Sequence, residues 1–436
     1  MSRIREVLGE DPEIVLAERR YDWISKVLPK VMRGARPITL SDLLDKALLD
    51  KYLGIPIFLA LWWALFRFTF DVSAPFSDLI DMFFSRLGEA VEPALGGGVL
   101  SSLIADGLLG GLGSVLVFIP PIFFLFFGLS ILEDSGYLAR AAFVVDKILY
   151  KLGLHGRSFI PMLLGFGCNI PGVMACRTID REEDRLLTII VNPLMSCSAR
   201  LPVYVLISSA VLGSYAVAGI YSMYIMGIGL AIAMALLFRR VIPYFRGRRS
   251  AFIMELPLYT VPTLRSTILH MWERGVLFLK KAGTVIFIGV LVVWALSSFP
   301  WGAGLEESYI GMLGRALEPL FRPLGFDWRG AVALFFGFIA KEIVVGTFGV
   351  IFGAGGEASE EEIADVIRSE NIFTPLTGYA FMAFTLIYIP CVATVGVIYR
   401  ETNSWKWTLF TVLYELLLAY FTAFLIVSVG HLLGFS

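Results

Sequence analysis

Two cysteine-containing segments, each inside a long apolar run, are the strongest candidates for chemistry in this chain. One reads Met195-Ser-Cys-Ser-Ala-Arg-Leu-Pro-Val-Tyr204, and the other reads Tyr388-Ile-Pro-Cys-Val-Ala-Thr-Val-Gly-Val-Ile-Tyr399. Both follow the pattern Cys-x-Ala-x-x-x-Val, so Cys197 corresponds to Cys391. Paired interrupted helices in two halves of a membrane protein are the best sequence indication of a transport site near the bilayer midplane. We therefore predict that two related halves converge on one site.

The chemistry of these cysteines favours a metal ion as the bound species. Thiolates are soft ligands that suit Fe²⁺, Cu(I) or Zn²⁺ better than Na⁺ or Mg²⁺. Cys168, in Gly-Phe-Gly-Cys-Asn-Ile-Pro, is a third candidate ligand, because the neighbouring glycines and proline free backbone carbonyl groups. Ser196 and Ser198 flank Cys197 and add hydroxyl oxygens. Packing as a small apolar side chain remains the alternative for every cysteine, and we favour it for Cys176.

A second group of candidates consists of polar side chains in or beside apolar segments, where ionisable groups are costly and are functional candidates by default. These are Arg200, Lys341, Glu342, Glu133, Asp134 and Asn169. Lys341 and Glu342 are adjacent, so they point to different sides of a helix and each needs its own partner. We interpret them, with Arg200, as groups that hold broken helices in register, and buried ion pairing alone is the alternative. Glu133 and Asp134 are predicted to form a cation-attracting mouth on the cytoplasmic side, or to end a helix at the interface.

The composition is that of an all-α polytopic membrane protein. The chain has 436 residues, of which 57% are hydrophobic and 17% are charged, below the roughly 25% charged residues of soluble domains. Backbone groups inside lipid must be satisfied within their own segment, so the apolar runs are helices. We predict about eight transmembrane helices, at roughly 52–70, 110–132, 185–213, 216–238, 278–298, 330–352, 376–399 and 407–432. The acidic stretches 71–107 and 357–370 are predicted to be loops.

Charge distribution suggests four parts. They are a cytoplasmic amphipathic linker segment (1–50), a first membrane half (51–238), a basic cytoplasmic loop (239–277) and a second membrane half (278–436). The positive-inside rule places the basic loop inside the cell and the acidic 71–107 stretch outside, with a cytoplasmic N-terminus. No secretory signal is recognisable at the N-terminus, so we expect a multi-pass protein of the cell membrane.

An internal repeat accompanies the two cysteine motifs. Leu164-Gly-Phe-Gly-Cys-Asn-Ile170 can be aligned with Phe336-Gly-Phe-Ile-Ala-Lys-Glu-Ile343, and each lies upstream of its Cys-x-Ala motif. The apolar piece Phe159–Met174 is too short for a full crossing and is interrupted by glycines and a proline. Such irregular backbone is tolerated at membrane depth only where protein or a wet cavity surrounds it. We predict broken or re-entrant segments in both repeats.

Several functional classes are disfavoured. No Gly-x-x-x-x-Gly-Lys-Ser/Thr loop occurs, so we expect no nucleotide site of the P-loop type and no enzyme of that class. The three histidines are scattered and no cysteine pair has CxxC spacing, which argues against a structural zinc site. The net charge of −1 gives no indication of nucleic-acid binding, and we expect no permanently bound cofactor.

Seven motifs resemble the membrane region of the ferrous iron transport protein B (FeoB) family. They are Leu103-Ile-Ala-Asp-Gly107, Leu132-Glu-Asp-Ser-Gly-Tyr-Leu-Ala-Arg140, Gly165-Phe-Gly-Cys-Asn-Ile-Pro171, Asn192-Pro-Leu-Met-Ser-Cys-Ser-Ala-Arg-Leu-Pro-Val-Tyr204, Met254-Glu-Leu-Pro-Leu-Tyr259, Lys341-Glu-Ile-Val-Val-Gly-Thr347 and Tyr388-Ile-Pro-Cys-Val-Ala-Thr394. The resemblance implies two Gate-type repeats and import of Fe²⁺ as a transported substrate. It also implies that Cys197 and Cys391 lie in or near the permeation path.

The family normally begins with a cytoplasmic GTP-binding domain, and residues 1–50 resemble the linker that follows it. The resemblance therefore implies control by a GTP-binding domain that is absent from this sequence, acting as a separate domain or chain. It also implies small accessory iron-transport proteins, and a homo-oligomer is a further expectation.

Two rival functions remain open at this stage. One is transport of another divalent metal or of a nucleoside-like solute, because Gate-type repeats also resemble those of nucleoside carriers. The other is a non-transporting receptor or interaction protein.

Overall fold

Helices are the only regular secondary structure in the part of the chain that the computed structural model describes. The described residues are 19–27, 40–50, 53–94, 96, 98–117, 119–141, 143–144, 156–245, 259–279, 284–302, 307–339, 341, 343–351 and 360–434. We number the helices in chain order. They are α1 (Leu40–Leu48), α2 (Gly54–Ala94), α3 (Val99–Ser102, continued by a π-helical stretch Leu103–Gly110 and by Gly111–Val117), α4 (Ile119–Asp134), α5 (Phe159–Gly167), α6 (Asn169–Ala175), α7 (Glu182–Val191), α8 (Leu201–Val211), α9 (Ala216–Val241), α10 (Leu264–Phe278), α11 (Thr284–Ser298), α12 (Tyr309–Phe321), α13 (Trp328–Gly337), α14 (Ile343–Ile351), α15 (Glu360–Ser369), α16 (Pro375–Ile387), α17 (Val392–Thr402) and α18 (Trp405–Leu432).

Five helical segments among the described residues are long and apolar enough to cross a membrane. They are Gly54–Val91, Glu182–Val211, Gly213–Val241, Pro375–Thr402 and Trp405–Leu432. Their length and composition confirm the prediction of an all-α polytopic membrane protein. The remaining predicted spans coincide with the shorter helices α3 and α4, α11, and the pair α13 and α14.

Two of the predicted loops are wrong. Residues 71–94 continue α2 as one helix of 41 residues, and α15 occupies most of the acidic stretch 357–370. In α2 the acids are spread along the helix, and apolar side chains such as Phe76, Leu79 and Phe83 recur at helical spacing between them. Isolated acids on a helix surface therefore do not end the helix.

Capping side chains stabilise the starts of α13 and α16 in the second half. Asp327 accepts a hydrogen bond from the Gly330 amide (3.0 Å) at the start of α13. Thr374 and Thr377 form a reciprocal capping box at the start of α16, where each hydroxyl accepts from the other residue's amide at 2.8 and 3.3 Å. Pro375 occupies the first turn, where a missing amide proton costs nothing. These caps fix where the core helix α16 begins.

The two halves interlock around a shared core. In the first half, α6 packs against α17 of the second half, and α8 packs against α14. Arg177, which follows α6, forms a two-point ion pair with Glu401 of α17, at 2.7 and 2.5 Å. The apolar core is built from both halves, with α16 packed along α18. Each half therefore supplies part of the other half's packing surface.

The predicted N-terminal linker contains α1, which is bound to the membrane region by a polar cluster. The buried Arg140 guanidinium donates to the Asp45 carboxylate at 2.7 Å and lies 3.6 Å from the centre of the Tyr259 ring. The Tyr259 hydroxyl donates to the same carboxylate at 2.8 Å. Burial, reinforced by this hydrogen bond, raises the pKa of Tyr259, so the phenol remains a donor. The cluster connects α1 to Arg140 of the first membrane half and to Tyr259 within the predicted basic loop.

Candidate functional site

Each half contains two interrupted helices, as the sequence predicts. The interruptions lie at Cys168 between α5 and α6, at residues 195–197 before α8, after Gly337 at the end of α13, and at residues 388–391 between α16 and α17. Cys168, Cys197 and Cys391 all have extended or near-extended backbone and stand immediately before a new helical turn. Pro390 contributes to one interruption, because a proline disfavours helical backbone at the preceding residue. All three candidate cysteines are half-buried.

In the first half, the two interruptions are joined by a serine. The Ser198 hydroxyl donates to the Gly167 carbonyl at 2.9 Å, which connects the residue after Cys197 to the residue before Cys168. Ser196 is buried, and its hydroxyl lies 3.1 Å from the Tyr204 hydroxyl. Both serines that the sequence singles out are therefore engaged in hydrogen bonds that shape the interruption.

The second half repeats this connection with different chemical groups. The Val392 amide, next to Cys391, donates to the Phe338 carbonyl at 3.2 Å. Val392 and Ser198 occupy the same position relative to their cysteines, and each donates to the interrupted segment upstream. The Cys391 thiol lies 3.1 Å from the Thr394 hydroxyl. The repeat seen in the sequence is thus also a repeat of contacts.

A buried cation binds the backbone just before each cysteine. Arg200 donates to the carbonyl groups of Pro193 (3.1 Å) and Met195 (3.0 Å). Lys341 donates to the carbonyl group of Ile389 at 2.7 Å. Met195 and Ile389 each lie two residues before the cysteine of their repeat. The predicted role of these cations in holding the interrupted helices thus has a direct geometric basis, with carbonyl oxygens as the partners.

The Lys341 ammonium interacts with groups of both cysteine segments. Its nitrogen is 3.2 Å from the centre of the Tyr388 ring, a close cation–π contact. It interacts electrostatically with both Cys197 and Cys391, and also with Arg200. Lys341 thus lies near both cysteine segments, and the convergence of Cys197 and Cys391 on one metal site stays a prediction.

Glu415 belongs to the same region, although the sequence reasoning missed it. Its side chain is fully buried on α18 and interacts electrostatically with both Arg200 and Lys341. The Tyr414 hydroxyl donates to the Ile190 carbonyl at 2.5 Å and lies 3.4 Å from one Glu415 oxygen. The signal was available, because Glu415 is the one acidic residue in the apolar segment 407–432. The rule that selected Lys341 selects it equally.

The other predicted residues lie elsewhere or outside the described part of the chain. Asp134 accepts a hydrogen bond from the Ser266 hydroxyl (2.8 Å) and lies 3.7 Å from His270, so its partners belong to α10. Glu133 beside it is exposed. Asn169 is buried at the start of α6, and its Oδ1 atom has no hydrogen-bond partner among the described residues. Glu342 falls outside the described residues.

Asn192 is a second residue that the sequence reasoning passed over. It is fully buried, and its Nδ2 group donates to the Pro161 carbonyl at 2.8 Å, which connects the end of α7 to α5. Its Oδ1 atom lies close to Gly172: a Cβ atom added at Gly172 would be 2.8 Å from this oxygen. The absence of a side chain at Gly172 thus allows α5, α6 and α7 to meet around one amide.

Replacing Gly172 with alanine is expected to destabilise the protein by about 1–3 kcal/mol. The added methyl group would lie 2.8 Å from both Asn192 Oδ1 and the Pro161 carbonyl oxygen, and backbone cannot move aside cheaply. Thermal unfolding of the purified protein in detergent measures the effect. Gly396→Ala is the matched control, because nothing lies within 4 Å of its added Cβ. Equal unfolding temperatures for the two variants would contradict this account.

The site offers a cation few strong ligands. Within the described residues, no three His, Cys, Asp or Glu side chains are close enough together to hold a metal ion. A metal ion between the two cysteine segments would meet thiols, hydroxyls and backbone carbonyls, and the Met195 and Ile389 carbonyls are already bound by Arg200 and Lys341. Weak coordination of this kind favours passage of a metal ion over its stable retention at the site.

Two family models match the chain. The model described as "Gate: Nucleoside recognition" matches residues 115–211 and 279–405, and the model described as "Ferrous iron transport protein B C terminus" matches residues 220–274. The two Gate matches contain all four interrupted helices. The chain belongs to the FeoB family.

Curated FeoB relatives match nearly the whole chain. A protein of Methanocaldococcus jannaschii named "Fe(2+) transporter FeoB" is 46% identical over 97% of this chain and 64% of its own length. A Staphylococcus aureus protein of the same name is 43% identical over 99% of this chain and 66% of its own length. A Porphyromonas gingivalis protein named "Fe(2+) transport protein A/Fe(2+) transporter FeoB fusion protein" is 38% identical over 98% of this chain and 56% of its own length. The chain thus spans less than two thirds of these FeoB proteins. No solved structure gives a significant match.

Proposed function

We propose that this protein moves Fe²⁺ across a membrane along a path between the interrupted helices of its two repeats. The observation that carries the proposal is the position of Cys197 and Cys391, one from each repeat, at helix interruptions whose backbone carbonyls are bound by Arg200 and Lys341. Two soft thiols at helix interruptions suit a borderline-soft metal that must bind and then leave. The relatives are named Fe(2+) transporters, which supports the choice of metal.

Within this path, we assign direct metal contacts to Cys197 and Cys391, with Cys168 as a third contact. Ser196 and Ser198 are assigned a supporting role, because their hydroxyl groups are engaged with Tyr204 and with the Gly167 carbonyl. Asn169, beside Cys168, has a buried amide oxygen available to a passing cation.

We propose that the protein lies in the cell membrane, with its N-terminus and α10 on the cytoplasmic side. The basic character of residues 239–277 supports this orientation. Asp134 and Glu133 would then lie at the cytoplasmic end of the path.

Control by a GTP-binding domain, on the same or another chain, would reach the membrane region through α1 and the Asp45–Arg140–Tyr259 cluster. The fusion named for the P. gingivalis relative supports a small accessory partner.

Metal flux into sealed vesicles that contain only this chain tests the proposal. We expect uptake of Fe²⁺ under anaerobic conditions to exceed uptake of Mn²⁺ and of a nucleoside, with Zn²⁺ as the closest competitor. Faster nucleoside uptake than iron uptake would instead support the rival carrier function. If no solute enters, adding a GTP-binding domain from a relative distinguishes a closed path from an inert protein. Continued absence of iron flux in its presence would refute the proposal.

A further inference from the structure

The two repeats share a feature that the transport proposal does not use: each has a buried basic side chain that donates to the carbonyl group two residues before its cysteine. Arg200 binds the Met195 carbonyl, and Lys341 binds the Ile389 carbonyl. Carbonyl groups freed at a helix interruption are natural ligands for a metal cation. In this protein the side chains of Arg200 and Lys341 already occupy them, so an incoming metal ion must compete with a tethered charge.

Both cations are buried, and one carboxylate serves them. Arg200, Lys341 and Glu415 are each at most 2% exposed. Glu415 interacts with both cations, and its Oε2 atom has no hydrogen-bond partner among the described residues. The Nε and Nη2 groups of Arg200 likewise have none there. In their ionised forms, these two cations and one carboxylate would give the region beside the cysteines a net positive charge, which opposes entry of a divalent cation.

We propose that Glu415 is the shared counter-ion of the two repeats, and that it makes room for a divalent metal at the cysteines by attracting Lys341 away from the Ile389 carbonyl. The choice of Fe²⁺ as that metal rests on the proposed function, whereas the charge arrangement does not. Lys341 suits this movement because an ammonium is a compact point charge on a flexible stem. Arg200 holds two carbonyls at once and keeps the first repeat fixed.

The proposal predicts an order of metal affinities set by the charge of the cluster. Glu415→Gln removes the negative charge and keeps the shape, so metal binding should weaken by roughly tenfold or more. Lys341→Met removes the competing cation and frees the Ile389 carbonyl, so binding should tighten by about tenfold. The double variant Glu415→Gln/Lys341→Met has the same net charge as the original protein and should bind with an affinity between those of the single variants.

Equilibrium binding of Co²⁺ to the purified protein measures this order without any need for transport. The thiolate-to-Co²⁺ charge-transfer absorption reports binding at cysteines, and Cys197→Ser/Cys391→Ser provides the blank. Glu318→Gln, a half-buried carboxylate of α12, is the matched control and should leave the Co²⁺ titration unchanged. If Glu415→Gln does not fold, the comparison of Lys341→Met with the double variant still decides, because the first should bind more tightly by about tenfold or more.

Each outcome separates this inference from the proposed function. Equal Co²⁺ affinities across the variants, or no thiolate band in the original protein, would overturn the role of Glu415 even if Fe²⁺ flux is observed. The predicted order of affinities without any Fe²⁺ flux would support the shared counter-ion and refute the transport proposal. The predicted order together with flux supports both.

Discussion

Replacing both Cys197 and Cys391 with serine is expected to reduce Fe²⁺ uptake into vesicles more than about tenfold while the protein remains folded. A serine hydroxyl is a harder and weaker ligand for Fe²⁺ than a thiolate, so the change removes the two soft contacts of the site. Serine is close to cysteine in size, and the Cys391 contact with the Thr394 hydroxyl can be remade by a hydroxyl group. The measurement is the initial rate of anaerobic Fe²⁺ uptake, normalised to protein in the vesicles.

The single variants and a packing control sharpen this test. Either single replacement should leave partial uptake, since the other thiol remains. Cys176→Ala is the control, because Cys176 is fully buried against Val173 and Ile189 and lies away from the interruptions that carry the other cysteines. It should lower the unfolding temperature and leave the preference for Fe²⁺ over Mn²⁺ unchanged. Normal uptake by the double serine variant would refute the assignment of both cysteines as iron contacts.

Replacing Arg200 with methionine is expected to destabilise the protein by about 2–5 kcal/mol. The change leaves the carbonyl groups of Pro193 and Met195 without their donor, deep in the core, and leaves Glu415 with one cation instead of two. Each buried acceptor that loses its partner costs roughly 1–3 kcal/mol. Unfolding of the purified protein in detergent, followed by heat or denaturant, measures the loss.

An exposed arginine gives the comparison for that measurement. Arg400 lies on the exposed face of α17, so Arg400→Met should change the unfolding free energy by less than about 0.5 kcal/mol. Arg200→Lys should fall between the two, because an ammonium group can donate to one of the two carbonyls but lacks the planar fork that reaches both. Equal stability of the Arg200→Met and Arg400→Met variants would show that the interrupted helix does not depend on its internal cation.

Uninterrupted apolar runs were predictable in position and length. The expected spans 216–238 and 407–432 lie within α9 and α18, because a predominantly apolar stretch of about 20 residues or more is long enough to cross a membrane as a helix. The acidic stretch 71–107 was not predictable by composition, since a few separated acids do not change the conformation of the helix that carries them. The recurrence of apolar residues at helical spacing within 76–87 is the feature of the sequence that predicts a helix there.

The site was predictable in its types of residue and not in their partners. The repeated Cys-x-Ala motif predicted helix interruptions at Cys197 and Cys391, and both residues stand immediately before a new helical turn. Lys341 was recognisable as a buried charge, but its partner is a backbone carbonyl 48 residues away, and a carbonyl group leaves no mark in a sequence. Glu415 lies outside both cysteine motifs, so the motifs alone do not identify it.

The interlocked packing of the two halves has a consequence for how this protein is made. Because α6 packs against α17 and α8 against α14, the first half leaves the ribosome long before its packing partners are synthesised. During that interval, Arg200 and the interrupted segment at Cys197 lack the Glu415 carboxylate of α18. The first half therefore completes its packing only after α14, α17 and α18 have been synthesised.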